Sequence, residues 1–260
     1  PSSAAADGTA GGPYTGLIWG LWLLLVYPVA VPAAANDALI QQLDTGCIDW
    51  SARTVKVNGV GTPVAIDGGR SYDASSDTLD TARRMAQSNL LDTLGALRIN
   101  AASRVADRVA QNTAFRDGLA ALARNAVITR QEYLSDGSVE IELSMNLTGG
   151  FGQFVLPEEI RQVEPVTTMA VAESVSKPSS AAADGTAGGP YTGLILDATS
   201  IGAKPSLVPV IVDESGEVVY GPAFVSREFA VSRGMSGFAT TLAAARNDKR
   251  VGDRPMIVTA

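Results

Sequence analysis

The chain has 260 residues, 46% of them hydrophobic and 18% charged, with a formal net charge of −7. That length suits one large or two small domains, and the acidic balance argues against nucleic acid as a partner. Histidine is absent and Cys47 is the sole cysteine, which excludes His-based triads and proton shuttles, most zinc and iron sites, cysteine clusters and an internal disulfide. No cofactor, metal or small-molecule substrate is expected.

Residues 17–31 are uncharged and almost wholly apolar, and Pro32-Ala-Ala-Ala35 follows. This is the pattern of a secretory signal peptide; the alternative is a retained membrane anchor, against which Pro28 and Pro32 argue. The first basic residue is Arg53, so the basic start of a signal peptide is missing. Residues 1–18 recur identically at 178–195. Structural repeats diverge, so the first copy reads as a recent duplication or an assembly artefact that displaced the original start. Cys47 follows Gly46 and is the candidate for lipid attachment. A lipobox, however, puts an aliphatic residue three positions before its cysteine, where this chain has Asp44. A small residue beside Trp50 at the start of the core is the preferred reading. The expected segments are 1–35 (duplicated stretch and apolar run), 36–164 (first α+β domain), 165–190 (linker or arm) and 191–260 (a second, smaller α+β unit).

In the first domain, Trp50 to Val60 alternates loosely and ends in Gly59-Val-Gly61, which reads as a strand. Residues 62–76 are rich in Gly, Ser, Asp and Pro and read as a loop. A helix follows, capped by Ser76 or Asp77, with Leu79, Ala82, Ala86, Leu90, Leu94 and Leu97 on one apolar face. Ile99 to Arg108 reads as a strand rather than continued helix. A second helix spans about 113–124, with Phe115, Leu119 and Leu122 inward. Val139, Ile141, Leu143, Met145 and Leu147 then alternate with Glu140, Glu142, Ser144 and Asn146, a strand with one buried face. A partner strand runs from Val127, and Asp136-Gly137 suits a two-residue hairpin turn. The fold class is α+β: a small sheet with two helices on one face, in the order β-α-β-α-β-β.

Ile48-Asp49-Trp50, Gly59-Val-Gly61, Ala82-Arg-Arg-Met-Ala86, Asn89-Leu-Leu91 and Tyr133-Leu-Ser-Asp-Gly-Ser-Val-Glu140 occur in that order. Together, over about residues 48–150, they resemble the bacterial outer-membrane lipoprotein family that includes the flagellar basal-disk protein (flagellar assembly lipoprotein P). The resemblance implies an envelope structural protein whose flagellar members assemble into rings or disks. The missing lipobox and the added C-terminal part are departures from that pattern.

Gly149-Gly-Phe-Gly152 lacks the Lys-Ser/Thr of a phosphate loop and is not placed between a strand and a helix. Tyr191–Ala198, an apolar run from Leu207 to Val212 and Glu217–Tyr220 read as strands, with Asp213-Glu-Ser-Gly216 as the turn of a second hairpin. Phe224–Val231 and Ser236–Arg246 read as helices with Phe229, Phe238 and Leu242 inward, and Met256–Val258 returns as a strand. The only catalytic chemistry on offer is carboxylate: Asp136, Glu140, Glu142, Asp197, Asp213 and Glu214, with Glu140 and Glu142 together on a wet strand face. These, like Ser226-Arg-Glu228 and Arg246-Asn-Asp-Lys249, read first as solvated surface, and Tyr133 and Tyr220 as packing residues. The expected function is therefore non-enzymatic. It is that of an exported envelope protein that self-assembles into a ring, disk or filament, with copies of itself and outer-membrane or flagellar basal-body proteins as partners. The alternative is a monomeric periplasmic adaptor that binds peptidoglycan or an outer-membrane partner.

Overall fold

In the computed structural model the described residues are 37–63, 76–158, 160 and 190–260. The apolar run 17–35, the first copy of the repeat, and nearly all of the 62–76 loop and the 165–190 linker lie outside them. Among the described residues no helix is long and apolar enough to cross a membrane.

The chain is mixed α+β. Its main element is a five-stranded antiparallel sheet in the order β1-β2-β3-β5-β4. Two short strands, β1 (Ile40–Leu43) and β2 (Gly46–Asp49), precede β3 (Thr54–Gly61). They extend the expected sheet by a hairpin with the two-residue turn Asp44-Thr45, which the sequence did not suggest. The strand expected over Trp50–Val60 starts only at Thr54, and Trp50 sits in the preceding turn. There it is buried, with its indole N–H donated to Gln41 Oε1 at 3.1 Å.

Helix α1 (Ser76–Ala96) lies on β3 and β5 and buries Ala82, Ala86, Leu90 and Leu94, with Leu97 just beyond its end. The fit explains the Gly-Val-Gly at the end of β3. In β3 it is Val55, Val57, Gly59 and Gly61 that face the helix, while Val60 points to the opposite, open face. A Cβ at Gly59 would stand 2.2 Å from Ala86 N and 2.4 Å from Ala82 O, and one at Gly61 would stand 2.0 Å from Thr78 O. Helix and strand meet backbone to backbone, which only glycine permits.

The strand expected over Ile99–Arg108 is replaced by a turn and a helix, α2 (Val105–Gln111). Asn100 Oδ1 accepts from Ala102 N, Ser103 N and Ser103 Oγ at 2.9–3.0 Å. This local capture reverses the chain within four residues, leaving only the Arg98–Arg104 bridge as extended pairing. Asp107 Oδ2 then accepts from Arg104 N at 2.7 Å and starts the helix. Helix α3 (Thr113–Arg124) is capped by Asn112, whose Oδ1 accepts from Phe115 N. Phe115 and Leu119 are buried as expected, and Leu122 only partly.

β4 (Val127–Tyr133) and β5 (Val139–Asn146) form the expected hairpin, and Val139, Ile141 and Leu143 make its buried row. The turn differs from the two-residue form. Leu134 N donates to Ser138 O, Gly137 alone has positive φ (84°), and Asp136 Oδ1 accepts from Ser138 N at 2.9 Å. Three residues, Ser135 to Gly137, close the loop, because the Asp136 carboxylate holds that wider turn. The short helix α4 (Gly150–Val155) follows β5 directly. Gly149-Gly-Phe-Gly152 thus does stand between a strand and a helix, contrary to expectation. The Gly149 N–H is already donated to Val231 O, however, and the helix has six residues.

Beyond residue 190, β6 (Gly193–Asp197) pairs in parallel with β9 (Pro255–Thr259), and β7 (Ile211–Val212) pairs with β8 (Val218–Tyr220) across the expected Asp213 turn. Between β8 and β9 lie α5 (Arg227–Arg233) and α6 (Leu242–Arg246), so helix covers only the second half of the expected 236–246 span. Two expected core residues here are surface: Phe229 and Leu242 are exposed, and Ala230, Val225 and Met235 are buried instead. Phe229 lies under the guanidinium groups of Arg233 and Arg250. Phe238 packs edge-on against Trp50 at 5.6 Å. Val208, Val225, Ala230 and Met235 share one hydrophobic cluster with Trp50, Leu147 and Phe151, and Asp37–Ala260 forms one compact unit.

Candidate functional site

The carboxylates singled out in the sequence are dispersed over separate structural tasks. Asp136 closes the β4–β5 turn. Asp197, at the end of β6, accepts from Thr199 N and Thr199 Oγ1. Asp213 accepts from Ser215 N, Ser215 Oγ and Glu217 N. In each case the donors hold the carboxyl below the ordinary aspartate range. The main donor is the Ser138 N–H for Asp136, the Thr199 hydroxyl for Asp197 and the Ser215 hydroxyl for Asp213. Among the described residues, no three His, Cys, Asp or Glu side chains gather to hold a metal ion.

Ser226 caps α5, and Arg227 donates to Pro157 O and Gln153 O. Asp248 Oδ1 accepts from Arg250 N. Cys47 lies within β2, opposite Gln42 on one side and Lys56 on the other. Cleavage before Cys47, which lipid attachment entails, would remove β1 together with Leu39 and Leu43, which pack against the core.

A junction that the sequence did not suggest surrounds residues 233–238. The Arg250 guanidinium donates to Arg233 O and Gly234 O, the Tyr220 hydroxyl to Met235 O, the Arg53 guanidinium to Ser236 O and the Ser51 hydroxyl to Phe238 O. Arg53 adopts φ of 56°, in the left-handed region. Burial lowers the pKa of Arg53 and Arg250, helped by repulsion from Arg250 at Arg53 and from Arg233 at Arg250, while burial raises that of Tyr220. A cavity of about 30 Å³ beside this junction, lined by Trp50, Leu147, Phe151 and Met235 among others, has room for about one water molecule. Sites for drug-sized ligands are an order of magnitude larger.

The second surface is the open face and outer edge of the sheet. β4 is the terminal strand, and all seven of its residues are exposed. Arg130 lies 3.2 Å from Glu140 Oε1 and 3.5 Å from Glu132 Oε1. Asn58 Nδ2 donates to the same Glu140 oxygen, and the Thr129 hydroxyl donates to the Glu142 carboxylate. Glu140 and Glu142 thus belong to a surface ladder with an arginine rather than to a facing acid pair. Tyr133, expected to pack, is 60% exposed, with its hydroxyl accepting from Gln131 Nε2. Val127 is 64% exposed. The helices stop short of this strand, so large apolar side chains and an open backbone edge occur together.

Residues 193–260 match the family model of Treponema pallidum Tp0624, second domain. The match takes in β6 to β9 and about a quarter of the chain, and it lies wholly outside residues 48–150. No curated protein matches the chain.

Proposed function

We propose that this protein is a non-enzymatic structural component of the bacterial cell envelope that self-assembles, through the edges of its sheets, into a ring, disk or filament. The observation that carries this reading is β4: an edge strand exposed on both faces, bearing Val127, Ile128 and Tyr133, with no described strand on its outer side. An exposed edge strand with large apolar side chains is a template for pairing with another chain, here narrowed by Arg130, Glu132 and the bulge beside Thr129. The carboxylates support the same reading: Asp136, Asp197 and Asp213 hold turns, Glu140 is paired with Arg130, Glu142 accepts from Thr129, and Glu214 is exposed in the Asp213 turn. The resemblance over residues 48–150 is what favours an exported, flagellum-associated member of the envelope, with outer-membrane or basal-body proteins as further partners.

Light scattering and negative-stain electron microscopy of the full chain, purified from envelope material, test the proposal. Regular rings, tubes or fibres whose mass grows with concentration are expected. A monodisperse monomer at the highest attainable concentration overturns it; retention of that monomer on purified cell wall would then establish the adaptor function instead.

A further inference from the structure

The outer edge of β4 carries its own pairing instructions. Along an antiparallel ladder, hydrogen-bonded and non-hydrogen-bonded pairs alternate. Leu134 N donates to Ser138 O, and the register continues as Glu132 with Glu140 and Arg130 with Glu142. Arg130, Glu132 and Leu134 therefore turn their backbone groups inward to β5, and Gln131 and Tyr133 turn theirs outward. A bulge between Ile128 and Arg130 interrupts the ladder at Thr129, which limits the usable edge to a short stretch.

We infer that this edge pairs with the same edge of a second copy, antiparallel about a two-fold axis at Gln131. The inference rests on the self-assembly reading and names the interface within it. For two outward-facing edges to bond, the axis must fall on or between residues of the outward set. Four registers are available from Arg130 to Tyr133; an axis at Tyr133 sets Glu132 against Leu134 and Gln131 against Ser135 of the turn, with no charge pair along the strands. An axis at Arg130 sets arginine against arginine, and an axis at Glu132 sets glutamate against glutamate; like charges directly opposite are destabilising. An axis at Gln131 sets Arg130 against the second copy's Glu132, twice by symmetry. It does so in the non-hydrogen-bonded position, where side chains are closest. Gln131 then exchanges both backbone bonds with its own counterpart. The Arg130–Glu132 ion pair within one chain becomes a pair between chains, and five-stranded sheets join into ten. The interface is isologous and closes on itself, so larger assemblies need a second contact surface.

Charge reversal and crosslinking test the register. Arg130→Glu or Glu132→Arg alone should weaken dimerisation about tenfold, as two attractive pairs become repulsive. The double variant R130E/E132R should restore it. Gln131→Pro should abolish pairing while leaving the fold intact by circular dichroism, because the N–H it removes points outward. In a C47S background, Q131C should form a symmetric disulfide on mild oxidation, since counterparts in a hydrogen-bonded pair lie about 5.5 Å apart at Cα, within disulfide range. A disulfide from R130C or E132C but not from Q131C overturns the register. Assembly that persists unchanged in Q131P and R130E overturns this interface while leaving self-assembly standing. A wild-type chain that stays monomeric overturns both.

Discussion

Single residues decide how closely the layers of this fold approach, and Gly59 shows it best. Its missing Cβ lets α1 sit with Ala82 O and Ala86 N against the strand backbone. An alanine there must push the helix off β3 or strain both, at a cost of about 1–3 kcal/mol or more. Gly59→Ala should lower the midpoint of urea unfolding accordingly with no change in slope; a change below about 0.5 kcal/mol would mean that the layers are not in backbone contact. The sequence displayed the glycines but not their use. In β3 the helix-facing row is Val-Val-Gly-Gly, so an apolar alternation test loses the strand's second half, and Val60, which such a test picks out, faces solvent. The helix stripe from Ala82 to Leu97 and the row from Val139 to Leu143 were legible because their inward positions are apolar, with buried Thr93 the exception in the helix. Arg53 and Arg250 were not, because a guanidinium that binds distant carbonyls leaves no local pattern.

At the scale of elements, turns are set by side-chain oxygens, and this fold has an acid-sensitive set of them. Asp136, Asp197 and Asp213 each accept hydrogen bonds that hold their carboxyls below the ordinary aspartate pKa of about 4. A depressed folded-state pKa means that the unfolded chain binds protons first as pH falls. Their contribution is therefore complete above about pH 5 and is lost as pH drops through the folded values. Chemical denaturation between pH 6 and pH 3 should show stability falling. The triple variant D136N/D197N/D213N, whose amides accept but do not titrate, should flatten that slope; an unchanged slope would mean that other carboxylates dominate acid sensitivity. The same class of bond explains where elements were misread. Ile99 to Arg108 has enough apolar and β-branched residues to suggest a strand, but the Asn100 carboxamide captures three donors within its own turn, and Asp107 then nucleates α2. Local side-chain capture overrode propensity there, as the Asp136 carboxylate did in widening the hairpin loop.

For the whole molecule, the governing fact is that residues 190–260 do not keep a core to themselves. Their two-stranded sheets are too small to be stable alone, and Val208, Val225, Ala230 and Met235 complete the cluster that holds Trp50 and Phe151. The 233–238 segment fastens this arrangement, with donors from both ends of the sequence: Ser51 and Arg53 from the β2–β3 turn, Tyr220 and Arg250 from beyond the linker. Shared burial of this kind makes unfolding cooperative. Removing the Arg250 guanidinium leaves two carbonyls, Arg233 O and Gly234 O, without their charged donor, a loss of about 2 kcal/mol for a half-buried group. If the core is shared, Arg250→Ala shifts a single transition, and far-UV circular dichroism and tryptophan fluorescence continue to report the same midpoint. If residues 190–260 instead fold as a separate module, the variant splits the curves: the dichroism gains an early phase while the fluorescence of Trp50, read in a W19F/W22F background, stays at its unsubstituted midpoint. Coincident, parallel shifts would establish that the sheet carrying β4 and the C-terminal part present their surfaces as one body, which a self-assembling subunit requires if the geometry at one edge is to be passed on to the next copy.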